Sequence, residues 1–369
     1  MIPVPYYKIA YYIVISCIAL ILCANLFVSN SAYLKDGPIN KVWSVVLLLV
    51  TILFIGLRDP WGAFEYFGDT NAYTTVYYDI NLKSIQYVLE QKDIGFYLFM
   101  KLCASVMNVS MFYLLCAFLY VYPVYVTLKK WFGDIAIYAL LMYVVSMSFL
   151  AFGINGIRNG LAVSFFIFAT GNINRKWLMI LFILVAISIH KSVLLPALLF
   201  FVSFFIKRTK WTVTVWFISI AVCLLAGAKM KNFTQIYLAG IIDDTRLTSS
   251  QTPIEWAGQK VLDNIRFRLD FILYSAVPIF LGWFYVVKKK FNDKFYIQLL
   301  NTYILTNAVW IGIFMYAAYT NRYAFLSWCI MPIVMVYPLL KGNLMKNQYR
   351  FIGYLAFGSL IFTLVMVIK

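Results

Sequence analysis

Long apolar runs, separated by short charged breaks, make up most of this chain of 369 residues. A helix needs about 20 apolar residues to cross a lipid bilayer, and about a dozen of the runs approach that length. In composition, 63% of the residues are hydrophobic and 12% are charged, whereas soluble domains are about half apolar and about a quarter charged. We therefore predict an all-α polytopic integral membrane protein with about 12 transmembrane helices, forming a single transmembrane domain over residues 1–369. The expected spans lie near 9–28, 40–57, 109–128, 135–152, 160–174, 177–190, 192–206, 212–228, 271–287, 295–315, 323–340 and 351–368.

The distribution of basic residues predicts which loops face the cytoplasm. Six short connections hold 16 of the 31 Lys and Arg residues but only three acids, and short basic loops stay on the cytoplasmic side. Two long segments, 58–108 and 229–270, then face outward. The net charge of +17 follows largely from this sidedness, so we expect membrane lipid rather than nucleic acid as a partner. The six connections are 29–41, 129–134, 172–177, 207–211, 288–294 and 341–350.

Within the first outward segment, the stretch 94–107 is apolar but short, and it contains Lys101. This length is typical of a re-entrant or interfacial helix. A full span there would instead place 58–93 in the cytoplasm. The second outward segment, 229–270, is the longest predicted loop. Its mixed charge fits either an active-site lid that binds sugar or a solvated amphipathic linker.

Arginine is used differently on the two sides of the predicted membrane. It provides three of the 16 cytoplasmic cations but six of the 15 outward ones. Lysine suffices as a topological charge, whereas the guanidinium fork binds phosphate or carboxylate in a bidentate way. The outward face is therefore predicted to bind an anion. The outward arginines are Arg58, Arg158, Arg246, Arg266, Arg268 and Arg322.

Two candidate site motifs lie in the first outward segment. In the stretch 58–73, Arg58 would hold a lipid-linked phosphate and Asp69 would orient or deprotonate a sugar hydroxyl; the alternative is an interfacial anchor followed by a turn. Farther along, Asp93 precedes Gly95 and two aromatic residues. Asp93 is open to two interpretations, a helix N-cap or a second catalytic carboxylate.

Two further motifs interrupt apolar runs. Arg158 lies in the glycine-rich stretch 153–162, where an ionisable side chain is costly to hold and is functional by default; near a helix N-terminus it would form an anion site, and snorkelling to the interface is the alternative. The chain's one histidine, His190, stands beside Lys191 at an outward-facing break. It would act as a general base or donate a hydrogen bond to pyrophosphate, unless it is structural.

The last motifs surround the final outward helix ends. Arg322 is flanked by Tyr319 and Tyr323; tyrosines alone are common at any membrane interface, so the arginine is the informative residue. Arg266 and Arg268 stand two residues apart just before a predicted span. No phosphate-binding loop, HExxH motif or paired-cysteine motif occurs, so we expect no nucleotide cofactor and no metal.

Taken in order, these residues resemble the EpsG/Wzy-type family of bacterial polysaccharide polymerases. One element departs from the family pattern, which has Glu and Pro before the glycine where this chain has Asp93 and Ile94. The resemblance is carried by Arg58, Gly68-Asp69, Tyr73, Asp93-x-Gly95-Phe96, Arg158 with Ala162, His190-Lys191-Ser192 and Arg322-Tyr323.

The resemblance implies a membrane glycosyltransferase of the GT-C type in the bacterial cytoplasmic (inner) membrane. Such an enzyme polymerises undecaprenyl-pyrophosphate-linked oligosaccharide repeat units of an O-antigen or related surface polysaccharide on the periplasmic side. Its donor and acceptor are both lipid-linked, and a chain-length regulator and a flippase are further expected partners. We assign catalysis to His190, Asp69 and Arg158. Substrate binding is assigned to Arg58, Arg322, Tyr323, Tyr73, Asp93, Lys191, Arg266 and Arg268.

Two other functions fit the same features. A GT-C-type glycan ligase needs much the same pyrophosphate site. A flippase or transporter of lipid-linked oligosaccharide would place its ionisable residues near mid-membrane around a two-sided cavity. The candidate residues cluster instead at predicted outward helix ends, which favours an enzyme open to one side.

Overall fold

The computed structural model describes residues 2–28, 38–233, 254–256, 259–261, 267–317 and 320–368. These residues are mainly helical, as predicted. They also contain one short antiparallel hairpin, β1 (Ile254–Trp256) and β2 (Gln259–Val261), in which Ile254 pairs with Val261. The helices are α1 (Val4–Val28), α2 (Ile39–Gly56), α3 (Phe64–Phe67), α4 (Thr70–Asp79), α5 (Ile85–Leu89), α6 (Ile94–Ala104), α7 (Val109–Phe132), α8 (Ala136–Val144), α9 (Met147–Ile154), α10 (Ile157–Thr170), α11 (Lys176–Ile189), α12 (Leu194–Ser203), α13 (Thr209–Phe233), α14 (Leu269–Trp283), α15 (Lys294–Val309), α16 (Thr320–Trp328), α17 (Met331–Lys341) and α18 (Gln348–Ile368).

Among the described residues, eight helical stretches are long and apolar enough to cross a membrane, and a ninth results if α9 and α10 count as one bent span. The predicted number of about 12 is therefore not confirmed. The difference lies in the predicted spans 135–152, 160–174, 177–190 and 192–206. These fall on helices α8 to α12, which have 8 to 14 residues each and are shorter than the about 20 residues that a span needs.

The short helix α6 covers most of the stretch predicted to be re-entrant or interfacial. Its 11 residues rise about 16 Å at 1.5 Å each, which is about half the thickness of the hydrocarbon core. Of the long segment 229–270, the structure describes the end of α13, the β1–β2 hairpin and residues 267–270, which include the start of α14. The membrane position of both segments stays a prediction.

The described chain divides into two compact units. Unit 1 comprises Met1–Leu194 and Val336–Lys369, and unit 2 comprises Leu195–Met335. In unit 1, α7 packs against both α2 and α10, while α1 packs against α18. The contact between α2 and α7 is close, because a Cβ at Gly56 would lie 2.7 Å from the Cα of Leu114. This packing fixes the ends of α2 and α10, which carry the candidate site residues.

Local signals explain where the central helix of unit 1 begins and ends. The Asn108 side chain accepts a hydrogen bond from the Met111 amide and caps α7, as asparagine does at helix N-termini. At the other end, Gly133 adopts a φ of 63°, a conformation that favours glycine and stops the helix. The polar ends therefore delimit a helix that is otherwise apolar.

In unit 2, α13 packs along α15 through buried polar pairs as well as apolar contacts. The Thr212 hydroxyl donates to Asn301 Oδ1 at 2.9 Å, and one turn later Trp216 Nε1 donates to Asn307 Oδ1 at 2.7 Å. Both asparagines are fully buried. Their amide groups are therefore satisfied inside the unit, as buried polar groups generally must be.

Candidate active site

A sharp break between two helices of unit 1 carries the first candidate residue. Helices α9 and α10 meet at an angle of 119°, with Asn155 and Gly156 between them. Gly160 allows the close approach of the two helices, because a Cβ there would lie 2.7 Å from the Phe152 carbonyl oxygen. Arg158 therefore stands in the first turn of α10, beside the exposed amides of a helix N-terminus.

Asp93 is the centre of a charged cluster. Its carboxylate accepts a hydrogen bond from Arg158 Nη1 at 2.8 Å and lies 3.1 Å from His190 Nδ1. It also accepts a hydrogen bond from the Lys191 backbone amide at 3.2 Å. The Asp93 side chain is 1% exposed and that of Arg158 is 29% exposed. The cluster thus has a buried carboxylate at its base and a guanidinium that remains accessible.

These contacts bear on the two interpretations of Asp93. The residue does occupy the N-cap position of α6, but its side chain makes no capping hydrogen bond there. Its acceptors are used instead by groups that are far away in the sequence, on α10 and at the end of α11. The helix-cap explanation of this carboxylate is therefore wrong, and its position fits a structural partner for Arg158 and His190.

The electrostatics of Asp93 combine two opposing effects. Burial by itself raises the pKa of the carboxyl, but the hydrogen bond and charge of His190, the charge of Arg158 and the Lys191 amide together lower the pKa below its usual value. Asp93 is therefore ionised at neutral pH. An ionised carboxylate at the Nδ1 of a histidine fixes the orientation of the ring and stabilises the imidazolium form.

Tyr73 gives Arg158 a second partner. Arg158 Nε donates to the Tyr73 hydroxyl at 3.2 Å, and the guanidinium lies 5.7 Å from the centre of the tyrosine ring. The Tyr73 ring also contacts the ring of Phe96, which is on α6. Helix α4, through Tyr73, and the start of α6, through Asp93, therefore each contribute a partner to the guanidinium.

Close packing of α6 on α11 brings Asp93 to His190. A Cβ at Gly95 would lie 2.3 Å from Ser188 Oγ and 2.8 Å from the Ser188 carbonyl carbon. After His190, the Ser192 hydroxyl donates to Asn159 Oδ1 at 2.8 Å, which connects the break after α11 to α10. Glycine at position 95 is therefore needed for the geometry of the cluster.

A model described as the EpsG family matches residues 41–369 of the chain. The chain belongs to the EpsG family. It is accordingly a membrane protein of the polysaccharide-polymerase type, as its resemblance to that family implied. No curated protein and no solved structure matches the sequence.

Two more predicted residues of this EpsG-family chain lie in unit 1, next to the cluster. Asp69 precedes α4, and its backbone amide donates to Asn155 Oδ1 at 3.0 Å; it stands one helical turn before Tyr73. Lys191 contributes its backbone amide, while its side chain is exposed. The roles assigned to these side chains stay predictions.

Arg58 was predicted to bind phosphate at the membrane boundary, but the structure buries its side chain. Its side chain is 1% exposed, donates from Nε to Thr70 Oγ1 at 3.0 Å and from Nη1 to the Ile55 carbonyl, and lies over the Tyr113 ring at 4.1 Å. Its Nη2 is buried without a hydrogen-bond partner in the described chain. These contacts connect the end of α2 to the start of α4.

The remaining predicted residues belong to unit 2 or lie outside the described residues. Arg322 and Tyr323 are in α16, where the Tyr323 ring stacks on Phe314 at 4.4 Å. Arg268 donates hydrogen bonds to the Asp270 carboxylate, the shortest at 2.6 Å. Arg266 and Arg246 lie outside the described residues.

Sequence reasoning missed two asparagines at the site. Asn155 orients the start of α4, and Asn159 contacts the segment after His190. Both stand in the glycine-rich stretch that was singled out for Arg158, where asparagine is also typical of an ordinary turn. Within the described residues, no group of three or more His, Cys, Asp and Glu side chains is arranged to hold a metal ion.

Proposed function

We propose that this EpsG-family protein polymerises undecaprenyl-pyrophosphate-linked oligosaccharide repeat units, as a glycosyltransferase of GT-C type on the outer face of the bacterial cytoplasmic membrane. The observation that carries the proposal is the cluster in which one buried carboxylate, Asp93, holds both Arg158 and His190. The cluster combines an accessible cation with an oriented imidazole. These are the two groups that transfer of a sugar from a diphosphate requires.

The reaction needs little else from the protein. A hydroxyl of the acceptor sugar attacks the anomeric carbon of the donor glycan, a new glycosidic bond forms, and the bond to the pyrophosphate oxygen breaks. Arg158 stabilises the negative charge that develops on the leaving pyrophosphate. His190 takes the proton of the attacking hydroxyl, and Asp69 orients the acceptor. The lipid pyrophosphate is the leaving group, so the reaction uses no nucleotide.

Arg58 has a supporting role in this proposal. A guanidinium that is buried and bonded to the Ile55 carbonyl and Thr70 positions the start of α4, which carries Tyr73. Tyr73 in turn bonds Arg158. Arg322, Tyr323, Arg266 and Arg268 are kept as candidate substrate-binding residues from unit 2 and from the segment that precedes α14.

The test is polymer formation by variants of Arg158 and His190. The gene with Arg158→Gln or His190→Ala replaces the wild-type gene, and surface polysaccharide is separated by size on a gel. We expect inserted, folded protein and only single repeat units, because each lost contact of this kind costs on the order of 100-fold in rate. Full-length polymer from either variant would contradict the proposal.

The matched control is Arg175→Gln, an exposed arginine before α11, which should leave polymer length unchanged. The same gel separates the alternatives. A ligase defect removes attached glycan altogether, and a flippase defect leaves lipid-linked repeats in the inner leaflet only. Purified protein that joins lipid-linked repeats in detergent, with no other protein added, would establish the activity directly.

A further inference from the structure

Unit 1 contains a cleft of about 280 Å³. One of the residues that line it is Asn155, which precedes Arg158 by three positions in the sequence. The cleft lies among the start of α1, the segment around α3, the end of α9 and the end of α18. Four of its lining side chains are aromatic, and three others are charged or carry an amide. The aromatic residues are Tyr12, Phe64, Tyr66 and Phe67, and the other three are Lys8, Glu65 and Asn155.

Two hydrogen-bond donors of the cleft are not used within the described part of the chain. The half-buried ammonium group of Lys8 makes no ion pair or hydrogen bond there. The Asn155 Oδ1 accepts a hydrogen bond from the Asp69 amide, but its amide nitrogen donates to no group among the described residues. Because the Oδ1 contact fixes the carboxamide, the two N–H groups are held in place. Unused donors that line one cleft indicate a polar ligand.

The combination of polar and aromatic side chains in the cleft indicates which kind of ligand would bind there. An anionic ligand would meet Lys8, but it would also meet the carboxylate of Glu65, which opposes it. A purely apolar ligand would leave the donors of Lys8 and Asn155 without acceptors, which is unfavourable. A sugar ring satisfies both requirements, because its hydroxyls accept and donate hydrogen bonds while its C–H face packs on aromatic rings such as Phe64. The volume of the cleft lies just below the range of about 300–1,000 Å³ that is usual for ligand pockets, which fits a ligand as small as one sugar.

The cleft and the charged cluster are connected by two successive contacts between α4 and the break before α10. The Asp69 amide bonds Asn155, and one turn later the Tyr73 hydroxyl bonds Arg158. Asn155 is therefore shared between the cleft and the segment that positions the cluster.

We propose that this cleft binds a neutral sugar of the acceptor glycan and holds its end toward Arg158 and His190. The assignment to the acceptor rests on the proposed polymerase function, whereas the sugar-binding cleft itself does not. Glu65 and Lys8 would bond the sugar hydroxyls, Asn155 would donate to a ring substituent, and Phe64 would pack on the ring.

The experiment measures binding of sugar to full-length protein in detergent, separately from polymer formation. The probe is a set of oligosaccharides prepared by partial acid hydrolysis of the polysaccharide that the host strain makes, and binding is followed by saturation-transfer NMR and titration calorimetry. We expect Phe64→Ala and Lys8→Gln each to weaken binding about 10-fold, the equivalent of one good contact. We expect Arg158→Gln to bind the same oligosaccharides while forming no polymer.

Matched controls remove a similar side chain elsewhere in unit 1. Phe118→Ala changes an exposed phenylalanine of α7, and Lys83→Gln changes an exposed lysine before α5; neither lines the cleft, and both should bind like the wild type. Phe64 is itself 55% exposed, so its replacement should leave folding intact, which a melting curve checks.

The outcomes separate this inference from the proposed function. Oligosaccharide binding that is unchanged in both Phe64→Ala and Lys8→Gln, or absent from the wild type, overturns the cleft assignment even if the protein polymerises. Binding that is lost in these variants but accompanied by no polymerase activity in the wild type supports the cleft and refutes the polymerase. Weaker binding together with a raised KM for the lipid-linked acceptor, at a nearly unchanged kcat, supports both.

Discussion

Each unit of this membrane protein contains a cluster of buried polar side chains. The two clusters differ in charge and in whether any of their side chains remains exposed. In unit 2, Asn307 accepts from Trp216 and donates to Ser327, so that neutral groups satisfy one another and all are buried. In unit 1, the buried Asp93 carboxylate pairs with Arg158, whose side chain remains 29% exposed. A closed neutral cluster stabilises packing, whereas an open charged cluster keeps a cation available for a ligand.

The free energy needed to bury the two clusters also differs, and this difference supports the contrast. A buried ion pair gains little or no stability over well-packed apolar residues, and in an apolar environment ionisable groups are expensive to hold. The sequence nevertheless keeps a carboxylate, a guanidinium and an imidazole together at one helix break. Neutral amides and hydroxyls would join the same helices at lower cost, as they do in unit 2. The charged cluster is therefore better explained by function than by packing.

The largest effect is expected from removing the charge of Asp93. Asp93→Asn keeps the size of the side chain but leaves Arg158 and His190 without their shared carboxylate. We expect polymer formation to fall at least about 100-fold, as for loss of a main electrostatic contact. Initial rates with lipid-linked repeats would measure it. A variant with normal rates would show that the charged cluster, like that of unit 2, serves packing alone.

Replacement of Gly95 tests whether the geometry of the charged cluster matters as well as its composition. In Gly95→Ala the new Cβ would overlap Ser188 Oγ and its carbonyl carbon, so α6 must move away from α11 and take Asp93 with it. A displacement of about 1 Å can cost up to about 100-fold in rate, and we expect a loss of about 10- to 100-fold. The control is Gly358→Ala on α18, where no described atom beyond the neighbouring turn of the same helix lies within 4 Å of the added Cβ. Equal rates for the two variants would refute the positional argument.

The sequence predicted the helical class and the family, and it also selected Asp93, Arg158 and His190 individually. The pairing of Asp93 with Arg158 and His190 could not be read from it, because the paired residues are 65 and 97 positions apart and their contact depends on how α6, α10 and α11 pack. The number of spans that hydropathy predicts between residues 135 and 206 is not confirmed, because the helices there are shorter than a usual span. The predicted boundaries already allow for the breaks near Gly156 and His190, but the predicted span 135–152 crosses a further break, between the end of α8 at Val144 and the start of α9 at Met147.

The burial of Arg58 was unforeseen for a related reason. An arginine that follows an apolar run is typical of a membrane boundary, and nothing in the local sequence shows that Tyr113 and Thr70 enclose it. Asn155 was missed because asparagine before glycine is common in turns. In both cases the partner that gives the residue its role comes from a distant helix.

A smaller effect is expected from the neutral cluster of unit 2. Asn307→Leu leaves the Trp216 indole N–H without its acceptor, and a buried unsatisfied group costs about 1–3 kcal/mol. We expect the Tm in detergent to fall by a few degrees, while the rate per folded molecule stays close to that of the wild type. Melting curves and initial rates on the same preparations measure both. Loss of polymer formation at an unchanged Tm would mean that the neutral cluster also acts in the reaction.

The smallest effect concerns the dependence of stability on pH. Because the pKa of Asp93 is lowered in the folded chain from its ordinary value of 3.8, its ionised form stabilises the fold above that value, and this stabilisation is lost as the pH falls through the folded pKa. The difference in Tm between wild type and Asp93→Asn should therefore be constant above about pH 5 and shrink below 3.8. Asp134→Asn is the control, since within the described part of the chain this carboxylate pairs with the exposed Lys41 alone, at 3.5 Å, and such pairs contribute little. A difference that stays constant down to about pH 3 would show that the charge of Asp93 does not hold the cluster together.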